Sequence, residues 1–289
     1  MIHLENELLK VSIAEKGAEL QSIIRKDNGL EYMWSGDATF WGKKSPVLFP
    51  IVGGLKNNAY THNGKTYPLG RHGFARDKVF TVSAQTANTI AFTLESTADT
   101  LQVYPFTFRF TVQYQLNNAS LLVTYKVENT GNENLLFSVG GHPAFKVPLT
   151  DGGSYEDYYL QFDTAETAGR WPLSDEGLIK TATEPLLENT DTLPLNKPLF
   201  YGDALVLKHL QSKSVTLKSK THAHGLRFHF DGFPFLGIWS AKNADFVCIE
   251  PWCGIADSIT TTGRLEDKEG IETLAPQGSF AKTWSVDLF

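Results

Sequence analysis

The 289-residue sequence predicts an all-β protein, and three observations carry that expectation. First, residues 106–116 alternate without a break. Phe106, Phe108, Phe110, Val112, Tyr114 and Leu116 fall on one face, and Thr107, Arg109, Thr111, Gln113 and Gln115 on the other. A period of two marks a half-buried strand. Second, similar short runs recur along the whole chain, separated by polar turn residues. Third, helical periodicity is scarce. Many short strands joined by polar turns suggest a sandwich or barrel.

In chain order, residues 8–13 and 19–24 read as strands, and a short helical turn is expected near 36–44. Residues 89–95 form the next strand. The 106–116 run ends at Asn117-Asn118, which tolerate positive φ, and Leu121, Val123, Tyr125 and Val127 then resume the alternation. The two runs read as a hairpin with one wet face. Residues 134–139 follow as a strand. Residues 149–189 are less periodic and richer in Asp, Glu, Thr and Gly. They read as an excursion over a sheet edge rather than a separate unit. Strands are then expected at 204–210, 214–220, 226–230, 235–241, 246–250 and 281–288. No internal repeat, low-complexity tract or long linker interrupts the chain, so a single domain over residues 1–289 is the simplest organisation.

Apolar residues make up 42% and charged residues 20%, enough to bury a sizeable core. The net charge of −6 argues against nucleic acid or an anionic membrane as partner. Glu5, Glu7, Lys10, Glu15 and Lys16 interrupt the first residues, and no apolar stretch is long enough for a signal peptide or a membrane span. A cytoplasmic location is expected. Cys248 and Cys253 fit neither a zinc motif nor a disulfide framework and read as reduced thiols filling a core.

Chemistry concentrates in three stretches: Arg71-His72-Gly73-Phe74-Ala75-Arg76, Gly140-Gly141-His142-Pro143 and Ile249-Glu250-Pro251-Trp252. Glu250 ends an apolar strand on the face of Phe246 and Cys248. Burying an unpaired carboxylate is costly, so the position points to a general base with a raised pKa. A strand end emerging into water is the plainer alternative. His142 follows two glycines expected to clear room for a ligand, and its imidazole suits proton transfer near neutrality. A core histidine bonded to a carbonyl fits it equally well. His72, between Arg71 and Gly73, reads more simply as part of a charged turn, although Arg71 or Arg76 could bind vicinal hydroxyls or a phosphate. Trp252 beside a carboxylate suits a sugar face, yet core packing is the commoner fate of tryptophan. Asp203 reads as a ligand-binding acid or an ordinary turn residue. His222 and His224, on an expected strand face, lack a third metal ligand at matched spacing, so no metal site is expected.

Taken together, these stretches resemble the aldose 1-epimerase (galactose mutarotase-like) family, in particular its LacX-like branch. The resemblance runs from residues 6–20 through 46–53, 70–76, 141–145, 202–207 and 249–254 to 272–280. It implies a large antiparallel β-supersandwich with few short helices. It implies His142 as general acid, Glu250 as general base, His72 as a sugar-holding residue, Asp203 as a sugar-hydroxyl acid, and Arg71 or Arg76 as a substrate-contacting arginine. The implied reaction interconverts the α and β anomers of a hexose by ring opening, without metal, nucleotide or other cofactor. The Arg-His-Gly-Phe-Ala-Arg form is also similar to the hexose-6-phosphate epimerase branch, and Lys43 and Lys44 could add charge at the mouth. A phosphorylated hexose, a glycoside hydrolase using Asp203 and Glu250, and a non-catalytic sugar-binding protein are the competing expectations.

Overall fold

The computed structural model describes residues 1–289, and the strands it contains pair in antiparallel fashion throughout. The larger of two main sheets has nine strands. Their spatial order is Glu184–Pro194, Tyr158–Arg170, Ser214–Ser219, Leu226–His229, Ser279–Leu288, Ser120–Asn129, Phe108–Asn117, Thr89–Glu95 and Thr81–Gln85. The alternating runs seen in the sequence form its centre. Asn117 pairs with Ser120, and Asn118 takes φ 51° to close the two-residue turn.

The second sheet has six strands and carries the candidate site. Leu205–Lys208, Phe235–Trp239, Phe246–Cys253, Val139–Gly141 and Val47–Leu48 lie in that order, and Ala144–Lys146 also pairs with Phe246–Cys253. One face packs on the nine-stranded sheet around a core of 63 buried residues. Phe49 stacks on Phe110 at 4.5 Å between centroids, and Phe145 meets Phe228 at 5.9 Å. This arrangement is the antiparallel β-supersandwich. Along Phe246–Cys253, Val247 and Ile249 enter that core, while Phe246, Cys248 and Trp252 enter two smaller clusters on the opposite face. Both faces are covered, so all eight residues are buried.

Residues 36–44 hold a short turn as expected, with the Asp37 carbonyl accepting from the Phe40 and Trp41 N–H groups. Three other features differ from expectation. An α-helix not anticipated lies at Ala98–Val103, where Thr97 and Thr100 make a reciprocal cap. The 149–189 stretch contains Tyr158–Arg170, a 13-residue strand paired with Glu184–Pro194. Register shifts between Gln161 and Glu166 and again near Ala168 break its period, which hid it in the sequence. His222 and His224 lie in the loop between Ser214–Ser219 and Leu226–His229 rather than on a strand, and His222 Nε2 bonds to the Tyr158 hydroxyl at 2.7 Å.

Candidate active site

The proximity of Glu250 and His142 follows from strand register. Gly140 pairs with Trp252, and Ala144 pairs with Cys248. The same register carried across the gap between these two short strands sets His142 opposite Glu250. Pro143 supplies the link, its carbonyl accepting from Ile249 N–H at 3.3 Å. His142 Nε2 lies 3.3 Å from Glu250 Oε2, and the two residues are 8% and 1% exposed.

Both line a cavity of about 360 Å³. His72, Arg71, Arg76, Asp203 and Trp252 line it too, so every singled-out site residue reaches one space. His72 sits at φ 67° and Asp203 at φ 79°. Left-handed backbone at non-glycine residues is strained and clusters at binding sites. His72 is held by the Gly53 backbone, which donates to Nδ1 at 3.1 Å and accepts from the His72 N–H at 2.9 Å. That bond makes Nδ1 the acceptor and leaves the Nε2–H as the imidazole's donor. Arg71 Nη2 lies 3.5 Å from Asp203 Oδ2, and Arg76 Nη2 donates to the Arg71 carbonyl at 2.9 Å. The charged turn anticipated for this stretch thus forms part of the cavity wall.

The electrostatics separate the two central groups. Burial pushes the Glu250 carboxyl well above the ordinary carboxylate range, and Asp203 adds to the rise. The Trp252 indole N–H opposes this weakly, since it falls short of hydrogen-bonding geometry, and so does Arg71. Burial likewise pushes His142 down to about 3, a fall opposed by its own nearby backbone, which falls short of hydrogen-bonding geometry, and reinforced by Arg76 and Arg71. Of the five buried side-chain polar atoms without a hydrogen-bond partner, three belong to the site: Glu250 Oε2, His142 Nδ1 and Trp252 Nε1. Each such group costs roughly 1–3 kcal/mol. Their concentration in one cavity suits a polar ligand that completes them.

The glycines serve packing rather than ligand access. A Cβ on Gly140 would lie 2.7 Å from Trp252 Cδ1, and one on Gly237 would lie 2.3 Å from Trp252 Cζ2. Trp252 is therefore clamped against two bare backbones. A Cβ on Gly141 would collide with the Tyr125 hydroxyl at 2.6 Å. Lys43 and Lys44 do not line the cavity. Lys43 reaches Asp77 at 3.7 Å, and the Lys44 ammonium donates to the Gln21 carbonyl at 3.0 Å.

Sequence reasoning missed Trp41, Trp239, Leu173, Ile179 and Val206, all in the lining. Trp41 stacks on His142 at 4.9 Å, and Trp239 meets the same ring edge-on at 5.5 Å. A signal for Trp239 was present. Gly237 in an apolar strand marks a close approach, and Trp239 shares its face. Leu173 and Ile179 bridge each other across a turn of the 149–189 stretch and cover one side of the cavity.

This architecture is that of galactose mutarotase-like proteins. A structure of a galactose mutarotase related enzyme from Lactobacillus acidophilus superimposes with TM-score 0.95 at 39% identity, covering 100% of this chain and 97% of that one. A galactose mutarotase-like protein from Lactobacillus casei ATCC 334 matches with TM-score 0.94 at 34% identity over all of both chains. In sequence, the chromosomal and plasmid forms of Protein LacX from Lactococcus lactis subsp. lactis are each 37% identical over 297 aligned positions, 99% of either protein. The family model described as aldose 1-epimerase matches residues 1–263, and the chain belongs to that family.

Proposed function

We propose that the protein interconverts the α and β anomers of a neutral hexose, with Glu250 and His142 as its proton carriers. The observation that carries this reading is the 3.3 Å approach of His142 Nε2 to Glu250 Oε2 in the cavity wall. The anomeric hydroxyl and the ring oxygen share one carbon, so adjacent carriers suit them. Glu250 takes the hydroxyl proton while His142 gives one to the ring oxygen. The ring opens to the aldehyde, the C1–C2 bond rotates, and reclosure reverses both transfers. Each transfer of this type contributes roughly 10²–10⁴-fold. Arg71, Asp203 and His72 hold sugar hydroxyls, and Trp252 offers its indole N–H.

Two features separate this reading from its rivals. Glu250 has an imidazole at contact distance, as proton shuttling requires, while Asp203, the second carboxylate that hydrolysis would use, already faces Arg71 at 3.5 Å. Both arginines in the lining already face carboxylates: Arg71 meets Asp203 at 3.5 Å and Arg76 meets Asp77 at 3.9 Å. A phosphate dianion would find little uncompensated positive charge. Polarimetry of the wild-type protein with glucose, galactose and glucose 6-phosphate tests the proposal. Acceleration of a free hexose is expected. Acceleration confined to the phosphate ester, or of no sugar at all, contradicts it.

A further inference from the structure

The proposed mechanism uses two of three metal-ligating side chains that meet at one place. Cys248 is the third. It shares the outward face of its strand with Glu250, and one ligand atom from each of His142, Cys248 and Glu250 lies within 4.8 Å of the others. All three residues are buried. The cluster also holds two unsatisfied atoms, Glu250 Oε2 and His142 Nδ1. The thiol itself has no role in the proton transfers proposed above.

We propose that these three side chains form a binding site for a borderline-soft divalent cation of the zinc type, and that the bound ion inhibits the enzyme. The donor set of one nitrogen, one sulfur and one carboxylate oxygen matches zinc's preferences. Zinc at about 2.0–2.3 Å from each donor places tetrahedral ligands ~3.5 Å apart, so the cluster need contract by only ~1 Å. Two anionic ligands neutralise the dication, which suits a site walled by Trp41, Trp239 and Phe246. Binding releases the thiol proton and the carboxyl proton to solvent. His142 and Glu250 line the cavity, so a fourth ligand can come from that side. A hard cation such as Mg²⁺ is disfavoured, because it demands octahedral oxygen ligands.

The inhibition rests on the proton-carrier reading of Glu250 and His142, whereas the binding does not. The test therefore has two arms on the full-length protein. Titration with Co²⁺ reads the site directly, through thiolate-to-cobalt charge-transfer absorption in the near ultraviolet. The band is expected in wild type and absent from Cys248→Ala and Cys248→Ser. Competition for Zn²⁺ against a chromogenic chelator should show affinity falling in both variants by at least the roughly 10–100-fold that loss of an outer-shell partner costs. In the second arm, Zn²⁺ but not Mg²⁺ should stop anomerisation by wild type. The cysteine variants should keep their rate without metal and tolerate at least tenfold more Zn²⁺. No band in wild type, or an unchanged band in both variants, overturns the site. A bound ion with anomerisation at full rate leaves the site standing and overturns the proton-carrier roles.

Discussion

Burial pushes the Glu250 carboxyl up and the His142 imidazole down, so between those two displaced values the pair holds one exchangeable proton. Moving that proton across 3.3 Å converts the resting pair into carboxylate and imidazolium, the form that the proposed ring opening requires, without exchange with solvent. The pH dependence follows. Acid adds a second proton and removes the base, while alkali takes the last proton and removes the acid. With a chelator present, kcat/KM should stay flat from well below the ordinary imidazole value to well above the ordinary carboxylate value, and the two limbs belong to the pair. An alkaline limb near 4–5 in a pH–rate profile would contradict this. The same displacement affects stability. A carboxyl raised in the folded state makes folding take up a proton, so stability is full below the unfolded value of about 4.3 and declines as pH rises toward the folded value. Glu250→Gln removes that decline. Its melting temperature should exceed that of wild type at pH 8, by about 2–4 °C per kcal/mol relieved, and the two should converge below pH ~4. Equal melting at both pH values would contradict the buried, raised carboxyl.

At the scale of the strand, Phe246–Cys253 does two jobs through its two faces. Val247 and Ile249 anchor it in the main core, Phe246 and Cys248 pack in a small apolar cluster with Trp41 and Trp239, and Glu250 and Trp252 line the cavity. Much of this was legible in the sequence, since alternation alone sorts those residues correctly. His142 could be suspected from its chemistry, but its position opposite Glu250 depends on register between segments more than a hundred residues apart, which one sequence does not display. Trp41 was not legible at all. It lies in an irregular loop whose path is set by hydrogen bonds such as Trp34 Nε1 to the Trp41 carbonyl at 2.9 Å. The clamp on Trp252 yields an element-level prediction. Gly237→Ala puts a methyl 2.3 Å from Trp252 Cζ2 and should cost about 1–3 kcal/mol of stability. It should also lower kcat/KM by displacing the indole. Unfolding curves and steady-state rates at wild-type values would show that the ring has room to move.

Across the whole molecule, the strand Ser279–Leu288 joins the halves of the nine-stranded sheet, pairing with Ser120–Asn129 on one side and Leu226–His229 on the other. It contributes Trp284, 1% exposed, whose indole N–H donates to the Tyr125 hydroxyl at 2.9 Å behind Gly141. The end of the chain is tied down as well, with Tyr32 donating to the Phe289 carbonyl at 2.8 Å. The all-β class was legible because period two survives in these central strands. The outer strands at 158–170 and 184–194 were hidden by bulges, and the wall formed by Leu173 and Ile179 went with them. Deleting residues 279–289 should abolish the cooperative unfolding transition seen by circular dichroism, and a truncated chain that still melts cooperatively would contradict the central role of that strand. The claim on which all of this converges is that Glu250 and His142 move the protons of anomer exchange. Magnetisation-transfer NMR between the α and β signals of the best hexose substrate measures it directly. Glu250→Gln and His142→Asn should each slow enzyme-dependent exchange by roughly 10²–10⁴-fold with folding intact. Exchange near the wild-type rate in either variant would contradict the account.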